Sequence, residues 1–277
     1  MTKQRSFLKW PGGKLRVMAE ITAMLPAGKR LIEPFVGSAV VFLNTNYPSY
    51  ILNDKNQDLI NIYECLAELG ADFIKQCKRY FTPKYNDPDK YYLLRDKFNK
   101  TTDTQKRAAL FLYLNRHSYN GLVRYNSSGG FNAPFGRYKK PYFPDKEMNF
   151  FYNKCKILAK VKFCCEDFSK ILQKAKVGDV IYADPPYVPL SETAHFTSYQ
   201  PNGFDLKAQH KLAAMVNKLA EKNISVLLSN HSTDFTKEIY SNATTIKEFE
   251  VQRFISCKVA ERRKVKELLA LFVEDKP

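Results

Sequence analysis

The stretch whose side chains are best suited to chemistry is Asp184-Pro185-Pro186-Tyr187, which places an acid and an aromatic ring around two residues without an N–H group. It follows an apolar run, residues 180–183, whose β-branched and aromatic character predicts a buried strand. Because proline cannot donate to a sheet, the strand should end at Asp184. Ligands of open α/β sheets bind at such strand ends, so we expect a site here. A plain turn or a short polyproline segment is the alternative.

A glycine turn and a second acid form another candidate pair. Residues 30–39 predict a strand, a tight turn at Gly37 and the start of a helix, and a second strand, residues 50–53, leads to Asp54. In nucleotide-binding α/β units an acid about 20 residues beyond the glycine turn hydrogen-bonds ribose hydroxyls. Asp54 could instead only cap the helix that begins near Asn56.

Near the N-terminus, Trp10 precedes Pro11, Gly12, Gly13 and Lys14. A phosphate-binding loop needs an earlier glycine and a Ser or Thr after the lysine, but Leu15 follows. A glycine turn that opens a helix still offers amides to an anion, and Trp10 adds a flat face. The segment suits a carboxylate-bearing cofactor or is an ordinary helix start.

Residues 116–140 carry the densest mixture of basic and aromatic side chains. The sequence Ser-Ser-Gly-Gly in their middle predicts an exposed β-hairpin. No acid occurs between Asp103 and Asp145. Cations suit phosphates, Arg suits guanine edges and aromatic rings suit unstacked bases, so this segment favours nucleic-acid binding over a merely solvated loop.

Composition agrees with that choice. The 277 residues carry a formal net charge of +16, and 44% of them are hydrophobic, so the chain is a folded basic protein with a polyanionic partner. No stretch approaches the length of a membrane span, and the opening residues lack the apolar part of a secretion signal, which predicts a cytoplasmic protein. Six cysteines without CxxC pairs and four scattered histidines predict reduced thiols and no metal site.

The elements around these residues alternate between strand and helix at both ends of the chain. Between them, residues 56–115 follow helical periods without a strand signal. We therefore expect an α/β domain interrupted by an inserted helical domain. After Asp145 the pattern resumes with strands near 161–165, 180–183, 224–228 and 268–271, and a helix capped by Asp205.

Taken together, the tryptophan-glycine segment, the turn around Gly37, the Asp184 tetrapeptide and the basic aromatic segment resemble the Dam family of DNA adenine methyltransferases. The likeness runs nearly end to end. It implies a Rossmann-like S-adenosylmethionine-dependent catalytic domain, residues 1–56 and 145–277. It also implies a helical DNA-recognition domain, residues 57–144, with a hairpin at about 118–139.

The resemblance further implies that a target adenine in double-stranded GATC is flipped out of the duplex. Asp184 would then accept a hydrogen bond from its exocyclic amine, the carbonyl of Pro185 would accept a second, and Tyr187 would stack on the ring. Two acceptors aimed at the amine hydrogens return electron density to a nitrogen that is otherwise a poor nucleophile. The implied enzyme needs no metal and works as a monomer.

By the same resemblance, the cofactor would be contacted by Trp10, Lys14, Glu33, Pro34, Phe35, Gly37, Asp54, Phe168 and Asp184. The DNA would be contacted by Lys9, Arg116, Tyr119, Asn120, Leu122, Arg124, Asn126, Pro134, Arg137, Tyr138 and Lys139. Among these, Tyr119 resembles a wedge into the base stack, whereas Lys9, Leu122 and Arg124 resemble base readers.

Three features of the sequence bear on this resemblance. Ala39 stands where relatives have a second glycine, which predicts a less open cofactor turn, and residues 255–263 lack an expected Asn-Gly hairpin turn. The loop 188–199 has the character of a mobile lid over the flipped base. Two alternatives stay open. One is an adenine methyltransferase of a restriction-modification system or mobile element with another target, or a methyltransferase that acts on RNA. The other is a catalytically silent DNA-binding protein, for which Ala39 is the only sign.

Overall fold

The computed structural model describes residues 3–158, 160–188, 204–252 and 264–274. The strands of the described residues form one seven-stranded sheet. They are β1 (Arg30–Glu33), β2 (Tyr50–Asn53), β3 (Val161–Cys164), β4 (Asp179–Ala183), β5 (Ser225–His231), β6 (Thr245–Gln252) and β7 (Lys264–Phe272).

The sheet has the order β3-β2-β1-β4-β5-β7-β6. β4 is parallel to both β1 and β5, and β3 is parallel to β2, whereas β7 runs antiparallel between β5 and β6. The strand order reverses between β1 and β4, which is the point where open α/β sheets bind ligands. The predicted Rossmann-like α/β fold is confirmed.

The helices also follow the predicted pattern. They are α1 (Met18–Met24), α2 (Val40–Asn44), α3 (Gln57–Lys78), α4 (Pro88–Lys100), α5 (Thr104–His117), α6 (Asp145–Ile157), α7 (Phe168–Leu172), α8 (Leu206–Ala220) and α9 (Asp234–Ile239). Helices α3, α4 and α5 confirm the helical character of residues 56–115. Asn56 and Asp205 are N-caps whose side chains accept hydrogen bonds from the backbone N–H groups of Leu59 and Ala208.

Packing divides the chain into two compact units, Met1–Ala19 with Val36–Glu166 and Glu20–Phe35 with Asp167–Pro277. We call the first the recognition unit, because it contains the loop 118–139 that is predicted to contact DNA. We call the second the amine unit, because it contains Asp184, which is predicted to bind the adenine amine. These boundaries describe packing and not function. The functional division into residues 57–144 and the remainder therefore stays a prediction.

The recognition unit is built around α5. Its residues 108–114 are apolar on every face of the helix and are all buried, and the polar residues 115–117 that follow are buried as well. Helix α3 packs beside it and kinks at Gly70, whose φ is +50°. A Cβ at Gly70 would lie 2.5 Å from Cζ of Tyr152 on α6, so glycine also permits the close approach of these two helices.

The amine unit contains the central strands of the sheet. Every residue of β4 is buried, as is all of β5 after Ser225. The apolar runs 180–183 and 226–228 match this burial, whereas the buried residues 229–231 are polar. Arg30 Nε and Nη2 donate to the two carboxylate oxygens of Asp179 at 3.0 and 2.5 Å, which ties the beginning of β1 to the beginning of β4. The two strands therefore run in fixed register toward their carboxyl ends.

The turn before α2 contains a strained residue. Ala39 is the N-cap of α2, is fully buried and has φ +57° and ψ +21°, a left-handed conformation that disfavours any side chain with a Cβ. The sequence predicts a less open turn here because Ala39 replaces glycine. The structure shows that the backbone keeps the conformation that glycine prefers and carries the strain.

None of the helices in the described part of the chain is long and apolar enough to cross a membrane.

Replacing Ala39 with glycine should test this strain. Removing its buried methyl group costs stability, but releasing the left-handed strain returns about 1 to 2 kcal/mol. The matched control is Ala109→Gly, at an equally buried alanine inside α5. Glycine inside a helix costs about a further 1 kcal/mol, so urea unfolding should show Ala39→Gly to be less destabilising than Ala109→Gly by about 2 to 3 kcal/mol. A difference of about 1 kcal/mol or less would contradict the strain.

Candidate active site

Asp184 lies directly after the last residue of β4, as predicted. Pro185 and Pro186 follow it, and neither has an N–H group with which to continue the ladder. The Asp184 carboxylate is partly exposed, and the hydroxyl Oγ of Ser229 on β5 donates to its Oδ1 at 2.7 Å. An acid at the sheet's switch point is thus held by a side chain of the neighbouring strand.

The backbone beyond Asp184 is fixed by side chains instead of a sheet ladder. Gln209 Nε2 on α8 donates to the carbonyl of Pro186 at 2.8 Å. Asn230 Oδ1 accepts from the N–H of Val188 at 3.2 Å, and His231 Nδ1 donates to the Val188 carbonyl at 2.6 Å. Because a carbonyl can only accept, the Nδ1 atom of His231 must carry the proton.

The Tyr187 ring is held in one orientation by two strands. Its centroid lies 4.7 Å from that of His231 at an interplanar angle of 74°, and its hydroxyl donates to Oε2 of buried Glu267 on β7 at 3.3 Å. Burial, together with the negative charge of Asp184, raises the pKa of Tyr187 well above its ordinary value. The phenol is therefore a neutral donor, and the ring is a rigid flat surface.

The glycine turn of the recognition unit is braced by Asp54. Gly37 has φ +46°, and a Cβ at this position would lie 3.1 Å from Nε1 of Trp10. Asp54 Oδ2 accepts from the N–H of Gly37 at 3.1 Å and its Oδ1 accepts from Asn56 at 3.0 Å, while the Tyr63 hydroxyl donates to the Gly37 carbonyl at 2.5 Å. Burial raises the pKa of Asp54, and the N–H donors of the turn oppose this rise.

These residues fit the polar groups of S-adenosylmethionine. Asp54 follows the last residue of β2, where an acid can accept hydrogen bonds from ribose hydroxyls. The residue whose side chain caps α3 is Asn56, and not Asp54 as the alternative interpretation had it. Lys14 is buried, and its Nζ donates to the carbonyl of Gly12 at 2.8 Å. This contact places a cation at the turn of Gly12 and Gly13, where it could pair with a carboxylate. Trp10 is half-buried beside Gly37.

In the amine unit, the predicted cofactor residues adjoin an aromatic cluster. Glu33 and Pro34 are buried at the end of β1. The ring of Phe35 lies 5.5 Å from that of Phe168 and 5.4 Å from that of Phe204, which sequence reasoning did not identify. Such a cluster offers apolar surface for a purine ring.

Lys9, the DNA-contact residue predicted near the N-terminus, is hydrogen-bonded to α5. The buried Asn115 side chain accepts from the N–H of Lys9 at 2.9 Å and donates to the Lys9 carbonyl at 2.7 Å. The Nζ atom of Lys9 lies 4.0 Å from the ring centroid of Tyr138, a distance typical of a cation–π contact. Two residues far apart in the sequence therefore share one surface of the recognition unit.

Residues 118–136 form a loop closed by two isolated antiparallel bridges, Ser118 with Phe135 and Tyr125 with Phe131. Backbone hydrogen bonds from Tyr119 to Pro134 and from Asn132 to Arg124 connect the two arms. The predicted hairpin thus has paired arms, but its pairing is discontinuous. Positive φ angles at Asn120, Gly121 and Gly129 turn the chain repeatedly and prevent a regular ladder.

The predicted DNA contacts differ in exposure. Tyr119 is 47% exposed, as a wedge requires, and Leu122 and Tyr138 are half-buried. The exposed members are Tyr119, Asn120, Arg124, Asn126, Pro134, Arg137 and Lys139. Arg116, by contrast, is only 8% exposed, and its Nε donates to the carbonyl of Tyr142 at 3.0 Å. Burial lowers the pKa of this guanidinium, and the side chain braces the end of the loop.

Arg124 has a fixed orientation. Its Nε donates to Oδ1 of Asn132 at 2.7 Å, and its Nη2 donates to the Asn132 carbonyl at 3.0 Å. The guanidinium plane is thus set by the opposite arm of the loop. A pre-oriented guanidinium loses less conformational entropy when it binds a planar partner.

The loop is anchored to α3 through Asp58. The Tyr125 hydroxyl donates to Oδ2 of Asp58 at 2.7 Å, and Arg107 donates to both carboxylate oxygens, at 2.5 and 3.1 Å. Phe131 is buried against Phe98, with ring centroids 5.7 Å apart. Part of the loop's aromatic content therefore forms a small core of its own.

Sequence reasoning missed the residues that hold the Asp184 segment, Gln209, Ser229, Asn230, His231 and Glu267. One signal was available: three polar residues, 229–231, directly follow an apolar strand core. The loop of residues 189–199 and the tail at 255–263 lie outside the described residues. Within the described part of the chain, no group of three or more His, Cys, Asp or Glu side chains could hold a metal ion.

His117 provides a pH-dependent test of the loop's support. It is buried at the end of α5, donates from Nδ1 to the Tyr113 carbonyl at 2.9 Å, and accepts from the N–H of Gly136 through its own carbonyl at 2.7 Å. Burial lowers the pKa of its imidazole from 6.5 to about 4. Between these values the unfolded chain binds a proton that the folded chain does not.

Stability contributed by neutral His117 is therefore fully present above pH 6.5 and is lost as the pH falls toward 4, by up to about 3 kcal/mol. We expect the imidazole NMR signals of His117 to remain those of the neutral ring down to about pH 4.5. In urea unfolding, His117→Gln should show a weaker loss of stability over this range than the wild type. Titration of His117 near pH 6.5 would contradict the account.

Comparisons with known proteins identify the family of this chain. A family described as D12 class N6 adenine-specific DNA methyltransferase matches residues 10–255. A DNA adenine methylase of Serratia marcescens is 48% identical over 98% of this chain and 100% of its own length. DNA adenine methylases of Vibrio cholerae O395 and Escherichia coli K12 are 47% and 46% identical over 98% of this chain and 97% and 96% of their own lengths. The chain therefore belongs to the D12 class of N6 adenine-specific DNA methyltransferases, in the Dam family.

Proposed function

We propose that this S-adenosylmethionine-dependent DNA adenine methyltransferase acts on the adenine of double-stranded GATC after flipping that base out of the duplex. The observation that carries the proposal is the Asp184 segment, in which a carboxylate oriented by Ser229 adjoins a Tyr187 ring fixed by His231 and Glu267. An acceptor beside a rigid aromatic face suits an amino-substituted planar base.

In this proposal Asp184 accepts one hydrogen of the adenine amine and the carbonyl of Pro185 accepts the other. Both acceptors oppose delocalisation of the nitrogen lone pair into the ring, so the amine becomes a better nucleophile. Tyr187 stacks on the base and fixes the direction of the lone pair. When bound, S-adenosylmethionine would supply the methyl group as an electrophile and would be left as S-adenosylhomocysteine, because its sulfur–methyl bond breaks as the nitrogen–methyl bond forms. The methylated nitrogen then releases one proton to solvent.

The chain's own residues suggest how the cofactor is held. We assign ribose contacts to Asp54, the cofactor carboxylate to Lys14 and the turn to Gly37 with Trp10. Phe35 and Phe168 are assigned to the adenine ring, and Glu33 and Pro34 to the end of β1. The polar groups and aromatic surface described above support these roles.

Recognition of DNA is assigned to the loop 118–139 together with Lys9. Tyr119 would enter the space that the flipped base leaves, with Asn120 beside it, while Leu122 and Arg124 contact base edges. Arg137 and Lys139 would contact phosphates. We further propose that a monomer methylates the two strands of the palindrome one at a time and that it works in the compartment containing the DNA.

Asp184→Ala tests the enzymatic part of the proposal. Wild-type protein should transfer labelled methyl groups from S-adenosylmethionine to a GATC duplex, and the variant should lose this activity by about 100-fold or more while still binding the duplex. A fully paired duplex with GGCC in place of GATC, which removes adenine from the site on both strands, is the substrate control. Wild-type protein that binds GATC duplex without transferring methyl groups would contradict the enzyme in favour of a silent DNA-binding protein.

Arg124→Ala and Lys139→Ala test base readout as a matched pair. If Arg124 reads a base edge, its loss should reduce discrimination at one position of the site by about 1–3 kcal/mol. Lys139→Ala should weaken binding to all sequences about equally and lower the salt dependence. Relative kcat/KM for duplexes with single substitutions in GATC provides the measurement. Equal weakening on all duplexes for Arg124→Ala would count against its assignment as a reader.

A further inference from the structure

Ser229 donates a hydrogen bond to the Asp184 carboxylate from the interior of the sheet. The residue is 1% exposed, and its Oγ lies 2.7 Å from Asp184 Oδ1. Its Oγ also lies 3.5 Å from the Ala183 carbonyl, which is at the limit of a hydrogen bond, and within hydrogen-bonding reach of the uncharged Tyr187 hydroxyl. A hydroxyl has one proton, and the shorter contact to a charged acceptor is the stronger. The proton of Ser229 therefore points to Asp184.

Tyr182 completes a chain of hydroxyls. Its hydroxyl lies 3.2 Å from Ser229 Oγ, and either atom could donate. Because the proton of Ser229 is directed to Asp184, Tyr182 must be the donor in this contact. Tyr182 is 1% exposed, and burial next to the negative Asp184 raises its pKa well above the ordinary value, so it keeps its proton.

We propose that the Tyr182–Ser229 hydroxyl pair positions the Asp184 carboxylate for its hydrogen bond to the adenine amine. The two residues are positioning residues, because neither touches the substrate. The inference rests on the proposed role of Asp184 and adds the means by which that acceptor is oriented.

The sheet explains why these two hydroxyls are well placed. Residues of β4 and β5 are paired in parallel, with Tyr182 opposite Leu227 and Ala183 opposite Leu228. Ser229 is the next residue after this register, at the level where β4 ends and Asp184 begins. Strand backbones in the centre of a sheet move less than loops, so a donor on β5 gives a fixed reference to an acid that has left the sheet.

A hydroxyl chain also strengthens the contact that it makes. A hydrogen bond donated to a carboxylate polarises the donor, and a second donor behind it increases this effect. Free rotation of the carboxylate would spread its lone pairs over many directions, whereas catalysis by orientation needs the acceptor close to one position. The nearby Gln209, Asn230 and His231 contacts hold the backbone of residues 186–188, whereas the Ser229 hydroxyl acts on the Asp184 side chain.

The test uses full-length Ser229→Ala, Tyr182→Phe and the double variant, with single-turnover methyl transfer on GATC duplex. Ser229→Ala should lower the rate constant by roughly 10- to 100-fold, because a hydrogen bond to a charged group is lost. Tyr182→Phe should lower it by about 3- to 10-fold. The double variant should be no slower than Ser229→Ala, since Tyr182 acts only through Ser229.

Binding and stability are measured on the same variants. Cofactor affinity, followed through the fluorescence of Trp10, the only tryptophan, and duplex affinity should stay at wild-type values. Ser229→Thr keeps the hydroxyl and should recover most of the rate. The matched control is Ser225→Ala, at the opposite end of β5, which should leave the rate unchanged.

Three results would overturn the inference. The first is a wild-type rate in Ser229→Ala, and the second is a double variant whose loss is the product of the two single losses. The third is a rate loss accompanied by weaker cofactor and duplex binding and a lower melting temperature, without recovery in Ser229→Thr. Asp184→Ala serves as the reference. If this variant kept wild-type activity, the proposed function of Asp184 would be refuted. If it were inactive while Ser229→Ala stayed fully active, only the positioning role would be refuted.

Discussion

Two consecutive prolines impose the constraint on which the Asp184–Tyr187 segment depends. Because neither Pro185 nor Pro186 has an N–H group, β4 cannot continue, and the carbonyl and amide groups that follow need partners outside the sheet ladder. The neighbouring strand and α8 supply them through Asn230, His231 and Gln209. The chain is thus free to carry an acid and an aromatic ring at the sheet edge while its backbone remains fixed. The rigidity of the site comes from side chains of β5, β7 and α8, and not from the tetrapeptide itself.

The loop of the recognition unit solves the same problem in a different way. Its backbone has too few regular pairs to be a stable hairpin, so side chains of the helices complete its hydrogen bonds. Asn99 bonds both the N–H and the carbonyl of Phe131, and Tyr91 donates to the carbonyl of Ala133. These contacts fix the backbone of the loop from the helix side. The side chains of Tyr119 and Arg124 are exposed to solvent. An irregular backbone is therefore compatible with well-defined directions for the side chains that would meet DNA.

The sequence predicted the elements of this fold well because hydrophobic period and capping are local properties. Asn56 and Asp205 begin helices as their types suggest, and the apolar runs form the expected strands. Ser229 and Glu267 could not be found in this way, since their importance depends on which strands become neighbours. Glu267 reaches Tyr187 only because β7 inserts antiparallel beside β5. Ala39 shows a further limit: its residue type predicts a less open turn, whereas the surrounding chain holds it in the left-handed conformation that glycine prefers.

The basic residues illustrate how far charge counting can go. Residues 104–144 contain seven cations and no acid. Arg107 is paired with Asp58 and Arg116 is buried against the Tyr142 carbonyl, so both serve the interior of the unit. Lys106 is half-buried, and the exposed cations are Arg124, Arg137, Lys139 and Lys140. Each phosphate contact adds about 0.9 to the salt dependence of duplex binding, so these four can contribute at most about 3.6. If Arg124 reads a base edge, the share of this segment falls to about 2.7. A larger measured slope would have to arise from cations elsewhere, in keeping with a net charge of +16 that extends well beyond this loop.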